Sequence, residues 1–268
     1  MSDRSPELVD LSSHRFSGVG RLYGDAALDR FASATVAVVG VGGVGSWVAE
    51  ALTRSGVGSG SGRLVLMDLD DVCVTNTNRQ VQAVAEAVGR PKVEALAERM
   101  HAIAPENSVQ AVSAFFGPNT AEALWATRPD VVVDAVDRAG TKALLIAQAR
   151  ERGVPIVTVG GAGGRVDPGA ARTCDVTRAY DDSLLAATRK RLRQLYGFER
   201  NPRKKWGVPC VFSPEPPREP DPGEAGADGP KRLDCATGYG SSVVVTGTFA
   251  FHATAVVLGL LREHGGAS

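Results

Sequence analysis

A glycine fingerprint, Gly40-x-Gly42-x-x-Gly45 with a further glycine at Gly43, stands between a β-branched run and a helical pattern. In that setting the glycines let the backbone turn tightly and approach a phosphate, and the helix start offers unpaired N–H groups to the anion. Asp68 follows at the end of the next apolar run, where it can accept from ribose hydroxyls. These residues say only that a nucleotide binds. On them alone a nicotinamide dehydrogenase would fit as well, and a Gly-rich turn without a ligand is the bland alternative. The residues that follow narrow the chemistry. Asp70, Asn76, Asn78 and Arg79 come straight after Asp68, then Arg90 and Lys92 at a helix start, then Asp134 and Asp137 after another apolar run. Hydride transfer has no use for two cations and a metal-binding carboxylate beside the phosphates. Cleavage of ATP between its α- and β-phosphates needs cations to neutralise pyrophosphate and magnesium to bridge the oxygens.

The elements that must position these groups can be read from periodicity. Thr35 to Val39 and Arg63 to Asp68 read as buried strands, Val109 to Phe116 as a third, Asp130 to Asp134 as a fourth and Val154 to Val159 as a fifth. Helical patterns run from Ser46 to about Ser55, from Lys92 to about Ile103 with Pro91 opening the first turn, and from about Thr141 to Arg152. This alternation predicts an α/β fold, a doubly wound, Rossmann-like, mostly parallel sheet with a C-terminal extension. Isolated cations are mostly solvated surface groups. Their placement at the carboxyl ends of successive strands of one sheet is what raises them above that reading.

The texture changes after Val159. Gly160 to Gly164 is a flexible or closely packed turn, Asp181 to Tyr196 a basic helix, and residues 214–230 an acidic Pro/Gly-rich stretch that cannot hold a core and reads as a surface loop or disorder. Ser241 to Leu261 is apolar enough to mimic a membrane span, but its Thr, Ser, Gly and Ala content and His252 predict a buried helix and no membrane. The expected organisation is one domain over residues 1–268, with a nucleotide half at about 15–161 and a substrate half at about 162–268.

Net charge is zero, so any nucleic-acid site must come from local clustering. The four cysteines, Cys73, Cys174, Cys210 and Cys235, are far apart and include no CxxC pair, which argues against a zinc ribbon and against a secreted disulfide framework. With no apolar leader, a cytoplasmic location is expected.

The combination GVGGVGS, DxDDVxxTNTNRQ, GRPKVE and VVDAVD resembles the adenylation core of the ubiquitin-activating-like superfamily, over roughly Arg15 to Gly161. The resemblance implies that Gly42 and Gly45, with Gly40 and Gly43, line the phosphates, that Asp68 holds the ribose, and that Asn76, Arg79 and Lys92 contact the triphosphate. It further implies Asp137 as the magnesium ligand, with Asp70 and Asn78 completing the nucleotide site. Arg79, Lys92 and Asp137 form the implied catalytic set. Four longer stretches are similar to the tRNA threonylcarbamoyladenosine dehydratase branch: residues 15–24, the TNTNRQ motif, residues 160–168, and residues 231–240 with the apolar helix behind them.

That likeness implies adenylation of the threonyl carboxylate on a modified adenosine of tRNA, then ring closure from within the same group with release of AMP. Intramolecular attack needs no cysteine nucleophile, since effective molarities of roughly 10⁵ M are available to well-oriented neighbours. It also implies a homodimer, ATP and Mg2+, and for some relatives docking to a cysteine desulfurase or sulfur-acceptor system. Relatives supply an arginine in trans at the position of Gly18, so Arg15 or Arg21 would have to replace it. For RNA, the basic stretch from Arg178 to Lys205 is the candidate, with Arg189, Lys190, Arg193, Lys204 and Lys205 as phosphate contacts and Tyr196 and Trp206 as stacking rings. Three other readings remain: an activator of a ubiquitin-like sulfur carrier, an NAD-linked oxidoreductase, and a non-catalytic nucleotide-binding partner protein.

Overall fold

The computed structural model describes residues 14–201, 203–218 and 239–263. Two short helices, α1 (Ser17–Tyr23) and α2 (Asp25–Ser33), lead into β1 (Thr35–Val39), α3 (Gly45–Arg54) and β2 (Arg63–Asp68). Then come α4 (Lys92–Ile103), β3 (Val109–Ser113), α5 (Ala121–Trp125), β4 (Val131–Asp134), α6 (Ala139–Glu151) and β5 (Ile156–Val159). The second half adds β6 (Arg172–Asp175), α7 (Ser183–Leu195), β7 (Pro209–Phe212) and α8 (Val243–Glu263).

These strands make one seven-stranded sheet in the order β3-β2-β1-β4-β5-β7-β6, with every pair parallel except β6 against β7. β1 lies between β2 and β4, so the chain leaves it in one direction and later returns on the other side. The crevice at that switch point is where ligands bind in open α/β sheets. Alternation along β1 sorts the core into two layers. Val36 and Val38 pack with α2, α3, α4 and α8, whereas Ala37 and Val39 face α6 and α7. With both faces covered, the strands read as continuous apolar runs rather than as alternating ones.

Several boundaries differ from the expected ones. β3 stops at Ser113, because Ala114 N–H turns back to the Val112 carbonyl, and Phe116 then packs edge-on against Trp125 at 6.3 Å. Pro91 is extended, with φ −54° and ψ 130°, and caps α4 from outside its first turn. The strands β6 and β7, each four residues, and the helices α1 and α2 carry no periodicity long enough to be read from sequence. Residues 214–218 are irregular, and the rest of the Pro-rich stretch lies outside the described residues.

Helix α8 is the one described helix long and apolar enough to cross a membrane, yet half of its most apolar window is buried in the protein. It lies on α3, on α2 and on strands β4, β5 and β7, with Phe249, Ala253 and Val257 fully enclosed. The expected buried helix is thus largely a core helix, although Val244 and Phe251 stay exposed on its outer side.

Candidate active site

The β1–α3 turn is built around close approaches. Gly40 has φ +84°, a conformation L side chains rarely adopt, and a Cβ there would lie 2.9 Å from the Ala135 carbonyl oxygen. The turn therefore presses directly on the loop that follows β4. A Cβ on Gly45 would overlap the Gly40 carbonyl, so the start of α3 sits hard against the strand end. Asp68 ties this turn to β2: its carboxylate accepts from Val41 N–H at 2.8 Å and from Asp70 N–H at 3.0 Å. With 7 % exposure, Asp68 is a preset acceptor at the crevice wall.

The segment after β2 folds back over the glycines. Asn76 is buried, and its side-chain oxygen accepts Cys73 N–H at 3.0 Å, closing a capping box around a short 3-10 turn. Arg79 is half-buried. Its guanidinium donates to the Thr75 carbonyl and the Asn78 side-chain oxygen, both at 2.9 Å, and the Trp47 indole N–H donates to its carbonyl at 3.0 Å. The stem of Arg79 lies over Gly43, so near that a Cβ on Gly43 would meet its Cγ and Cδ at 3.3 Å. Asn78 in turn donates to the Ser241 carbonyl at 2.8 Å, which joins this loop to the entrance of α8.

Lys92 is buried at the start of α4, and its ammonium is 2.7 Å from the carboxylate of Asp70, which is itself half exposed. An exposed Asp70 thus holds a desolvated cation at the edge of the crevice. A phosphate arriving there would compete with Asp70 for it. Asp137 is exposed on the loop after β4, and its carboxylate has no hydrogen bond or ion pair among the described residues. The described residues contain no group of three or more His, Cys, Asp or Glu able to hold a metal by themselves. One open carboxylate beside a phosphate cradle fits magnesium, which takes one or two carboxylates and fills its other positions with phosphate oxygens and water.

One functional feature escaped sequence reading. Asp134 and Lys142 are both fully buried and form an ion pair at 2.9 Å directly beneath the 135–137 loop. Thr158 donates to Asp134 at 2.7 Å, the Lys142 ammonium donates to Thr158 at 3.1 Å, and Val136 N–H donates to Asp134 at 3.2 Å. The pair thereby fastens β4, β5, α6 and the Asp137 loop together. The signal was present: Lys142 is a lone cation in helical register with the buried Leu145, Ile146 and Ala149.

The Gly160–Gly164 turn proves closely packed. Asp182 caps α7 through Leu185 N–H at 2.8 Å, accepts Gly161 N–H at 2.9 Å, and pairs with the buried Arg165 at 3.5 Å. The basic stretch behind it is less open than expected. Arg189 is half-buried and donates to the Val176 carbonyl at 3.1 Å, and its burial pushes its pKa down from the usual arginine value. Arg193 lies over Trp206 at 5.2 Å, and Lys204 pairs with Glu199 at 3.4 Å; Lys190 and Lys205 are exposed. Tyr196 and Trp206 are not free stacking rings, because both pack against the core and Trp206 meets Phe198 edge-on at 4.9 Å.

Of the cysteines, Cys73 lies in the nucleotide loop and Cys235 outside the described residues. Cys174 and Cys210 face each other across β6 and β7, with sulfurs 3.8 Å apart and both thiols pushed up chiefly by burial. Neither is placed as a nucleophile. Near the N-terminus Arg15 pairs with Glu106 at 2.8 Å and donates to the Ile103 carbonyl at 2.9 Å, whereas Arg21 is exposed.

The profile of the ThiF family matches residues 18–261. The chain is 44 % identical over 257 residues to the tRNA threonylcarbamoyladenosine dehydratase of Escherichia coli, covering 94 % of each protein. Crystal structures of the Escherichia coli tRNA N6-threonylcarbamoyladenosine dehydratase match as well. Its complex with ATP superimposes with a TM-score of 0.84 at 41 % identity, over 96 % of this chain and 97 % of that one. Its complex with AMP gives 0.85 at 40 % identity, over 98 % and 100 %. The doubly wound sheet, the glycine turn and this end-to-end similarity agree, and the chain belongs to the ThiF family, in its tRNA threonylcarbamoyladenosine dehydratase branch.

Proposed function

We propose that this protein catalyses the ATP-dependent dehydration of threonylcarbamoyladenosine beside the anticodon of tRNA. What carries the reading is one juxtaposition: the Gly40–Gly45 turn, Asp68, the Arg79 stem over Gly43 and the loop bearing Asp137 all meet at the carboxyl ends of β1, β2 and β4. In it, the α3 N-terminus and the glycine N–H groups receive phosphate oxygens, and Asp68 accepts from the ribose. Arg79 and Lys92, released from Asp70, neutralise the pyrophosphate as the substrate carboxylate displaces it from the α-phosphorus. Asp137 is the residue that would hold magnesium, which when bound supplies charge neutralisation across the phosphates. The acyl adenylate is then attacked by a neighbouring group of the same side chain, the ring closes and AMP leaves, for a net loss of one water. The similar Escherichia coli enzyme, solved with ATP and with AMP, supports both ends of that sequence.

Other parts of the reading rest on resemblance: a single catalytic domain, a homodimeric assembly, a cytoplasmic location, and docking to a cysteine desulfurase or sulfur-acceptor system. If an arginine crosses to the partner protomer, Arg21 is the better placed, because Arg15 is held by Glu106 and the Ile103 carbonyl. The test is incubation with modified tRNA, ATP and magnesium followed by nucleoside mass spectrometry, with loss of one water as the expected result. Asp137→Ala should lower AMP formation by a hundredfold or more at unchanged thermal stability, as its carboxylate is exposed and makes no hydrogen bond or ion pair among the described residues. Undiminished turnover in that variant would remove Asp137 from the mechanism. Pyrophosphate exchange that depends on a small carrier protein, with no change in the tRNA, would favour the sulfur-carrier reading instead.

A further inference from the structure

A second cavity, of about 480 Å³, wraps the outer edge of the sheet at β6. Its walls are Arg172, Thr173, Cys174, Arg178, Tyr180, Phe212 and His252, with Ala171 at one end. Among the described residues, its lining carries two arginines and a histidine and no carboxylate. The nearest one in sequence, Asp175, is turned away. Its oxygens accept N–H groups from Thr177, Trp206, Gly207 and Val208. Burial pushes that carboxyl up, but these hydrogen bonds outweigh it and hold it below its ordinary range, ionised and occupied.

The cationic groups are not all engaged elsewhere. Arg178 is steadied by donation to the Arg203 carbonyl at 2.9 Å, while the Arg172 guanidinium has no hydrogen bond or ion pair among the described residues. Tyr180 is 51 % exposed and rests edge-on against Phe212, ring centroids 5.5 Å apart and planes at 72°. That contact covers part of the ring and leaves about half of the residue open to solvent. Its setting is fixed from behind: Asp181 takes φ +53°, unusual for a residue other than glycine, and the next residue is the buried helix cap Asp182. An exposed aromatic ring beside arginines that make no ion pair among the described residues is the combination that binds single-stranded nucleic acid, stacking for the base and charge for the phosphate. The space is a surface depression, open over most of its rim, on which a nucleotide would lie rather than be enclosed.

Position adds to the case. Arg172 pairs with Phe212 at the carboxyl end of β7, the same edge of the sheet that carries the glycine turn and Asp134. Four strand spacings separate β1 from β6, about 19 Å. A polymer with one nucleotide in the adenylation crevice can reach β6 with another, whereas a small substrate cannot.

We propose that this edge cavity docks one unpaired nucleotide of the RNA substrate, its phosphate on Arg172 and Arg178 and its base on the Tyr180 ring. The inference rests on the reading of tRNA as substrate and deepens it. The test measures equilibrium binding of an anticodon stem-loop RNA, and KM and kcat with modified tRNA, for wild type, Arg172→Ala, Tyr180→Ala and Tyr180→Phe. Removing the ring should weaken RNA binding and raise the KM for tRNA by at least about fivefold, the lower end of base–aromatic stacking. Tyr180→Phe should restore both. Arg172→Ala should reduce the salt-dependence slope of binding by about one. The KM for ATP should not move, and Arg172→Ala should leave the unfolding temperature unchanged because that side chain is exposed. RNA binding within twofold of wild type in both alanine variants overturns the docking site, as does a wild type that binds no RNA. Should the wild type bind RNA through these residues and yet leave threonylcarbamoyladenosine intact, the docking site stands and the dehydratase reading falls.

Discussion

The two ends of the sheet treat polar side chains in opposite ways. At the crevice formed by β1, β2 and β4, most of them are already committed: Asp68 to Val41 and Asp70 N–H, Asn76 to Cys73 N–H, and Asp134 to Lys142, Thr158 and Val136; Lys92 is the exception, held by Asp70 until a phosphate competes for it. At the β6 edge, Arg172 and Tyr180 reach into open space with little to hold their outer atoms. A site that stabilises charge developing on a small substrate must have its dipoles fixed beforehand, since reorienting them during reaction costs the barrier reduction they supply. A surface that catches one nucleotide of a large, tethered polymer gains from every added contact and tolerates some looseness. The contrast is therefore between preorganisation and capture.

The sharpest way to break the comparison is to damage the preorganised end at a residue that touches no substrate. Lys142→Met removes the cation facing Asp134 and leaves a fully buried carboxylate with only Thr158 and Val136 N–H. Stranding one member of a buried pair costs about 3–5 kcal/mol, whereas replacing both partners by apolar groups is often close to neutral. Chemical denaturation should show a loss in that range for Lys142→Met and recovery of much of it in Asp134→Leu/Lys142→Met. Activity should not follow stability back, because the double variant no longer anchors the Asp137 loop. If the double variant regained full kcat, the pair would be a packing device only.

How much of this was visible beforehand differs between the same two ends. The crevice was legible because its signals are local: glycines between a strand and a helix, carboxylates at strand ends, Lys92 at a helix start. What sequence could not show is which atoms those residues spend on one another, such as Asn76 capping Cys73 or Asp70 holding Lys92. The β6 end was hardly legible at all. Its strands lack the apolar runs that mark the equally short β4 and β5, since β6 is RTCD and β7 opens on Pro209, and their pairing across residues 172–175 and 209–212 depends on contacts distant in sequence. In the basic stretch, composition gives the residue types but not their burial. Composition placed Tyr196 and Trp206 among cations, but burial drew both rings into the core and left Tyr180 as the exposed one.

A smaller change tests whether the crevice depends on close approach. In Gly43→Ala the new Cβ would stand 3.2 Å from Thr246 Cγ2 and 3.3 Å from Arg79 Cγ and Cδ. Thr246 is fixed in α8, so the Arg79 stem must yield and carry its guanidinium off line. The expected result by titration calorimetry is a roughly tenfold weaker affinity for ATP, about 1.4 kcal/mol, with RNA binding and fold stability little changed. An unaltered ATP affinity would mean that Arg79 does not need its place over Gly43.

The smallest effects should come from the basic stretch, where the comparison can be sharpened charge by charge. Lys190 and Lys205 are exposed and make no ion pair among the described residues, whereas Lys204 is already opposed by Glu199 at 3.4 Å. An exposed pair of that kind contributes little to stability, so none of the three alanine variants should shift the unfolding free energy by more than about 0.5 kcal/mol. RNA binding should separate them. A lysine that neutralises a phosphate releases a counterion, so Lys190→Ala or Lys205→Ala should each lower the salt-dependence slope by about one. Lys204→Ala should change the slope less, because binding through Lys204 must first displace Glu199. Equal slopes for wild type and all three variants would mark this stretch as a solvated helix face, and would leave Arg172 and Arg178 at the β6 edge as the cations that meet the RNA.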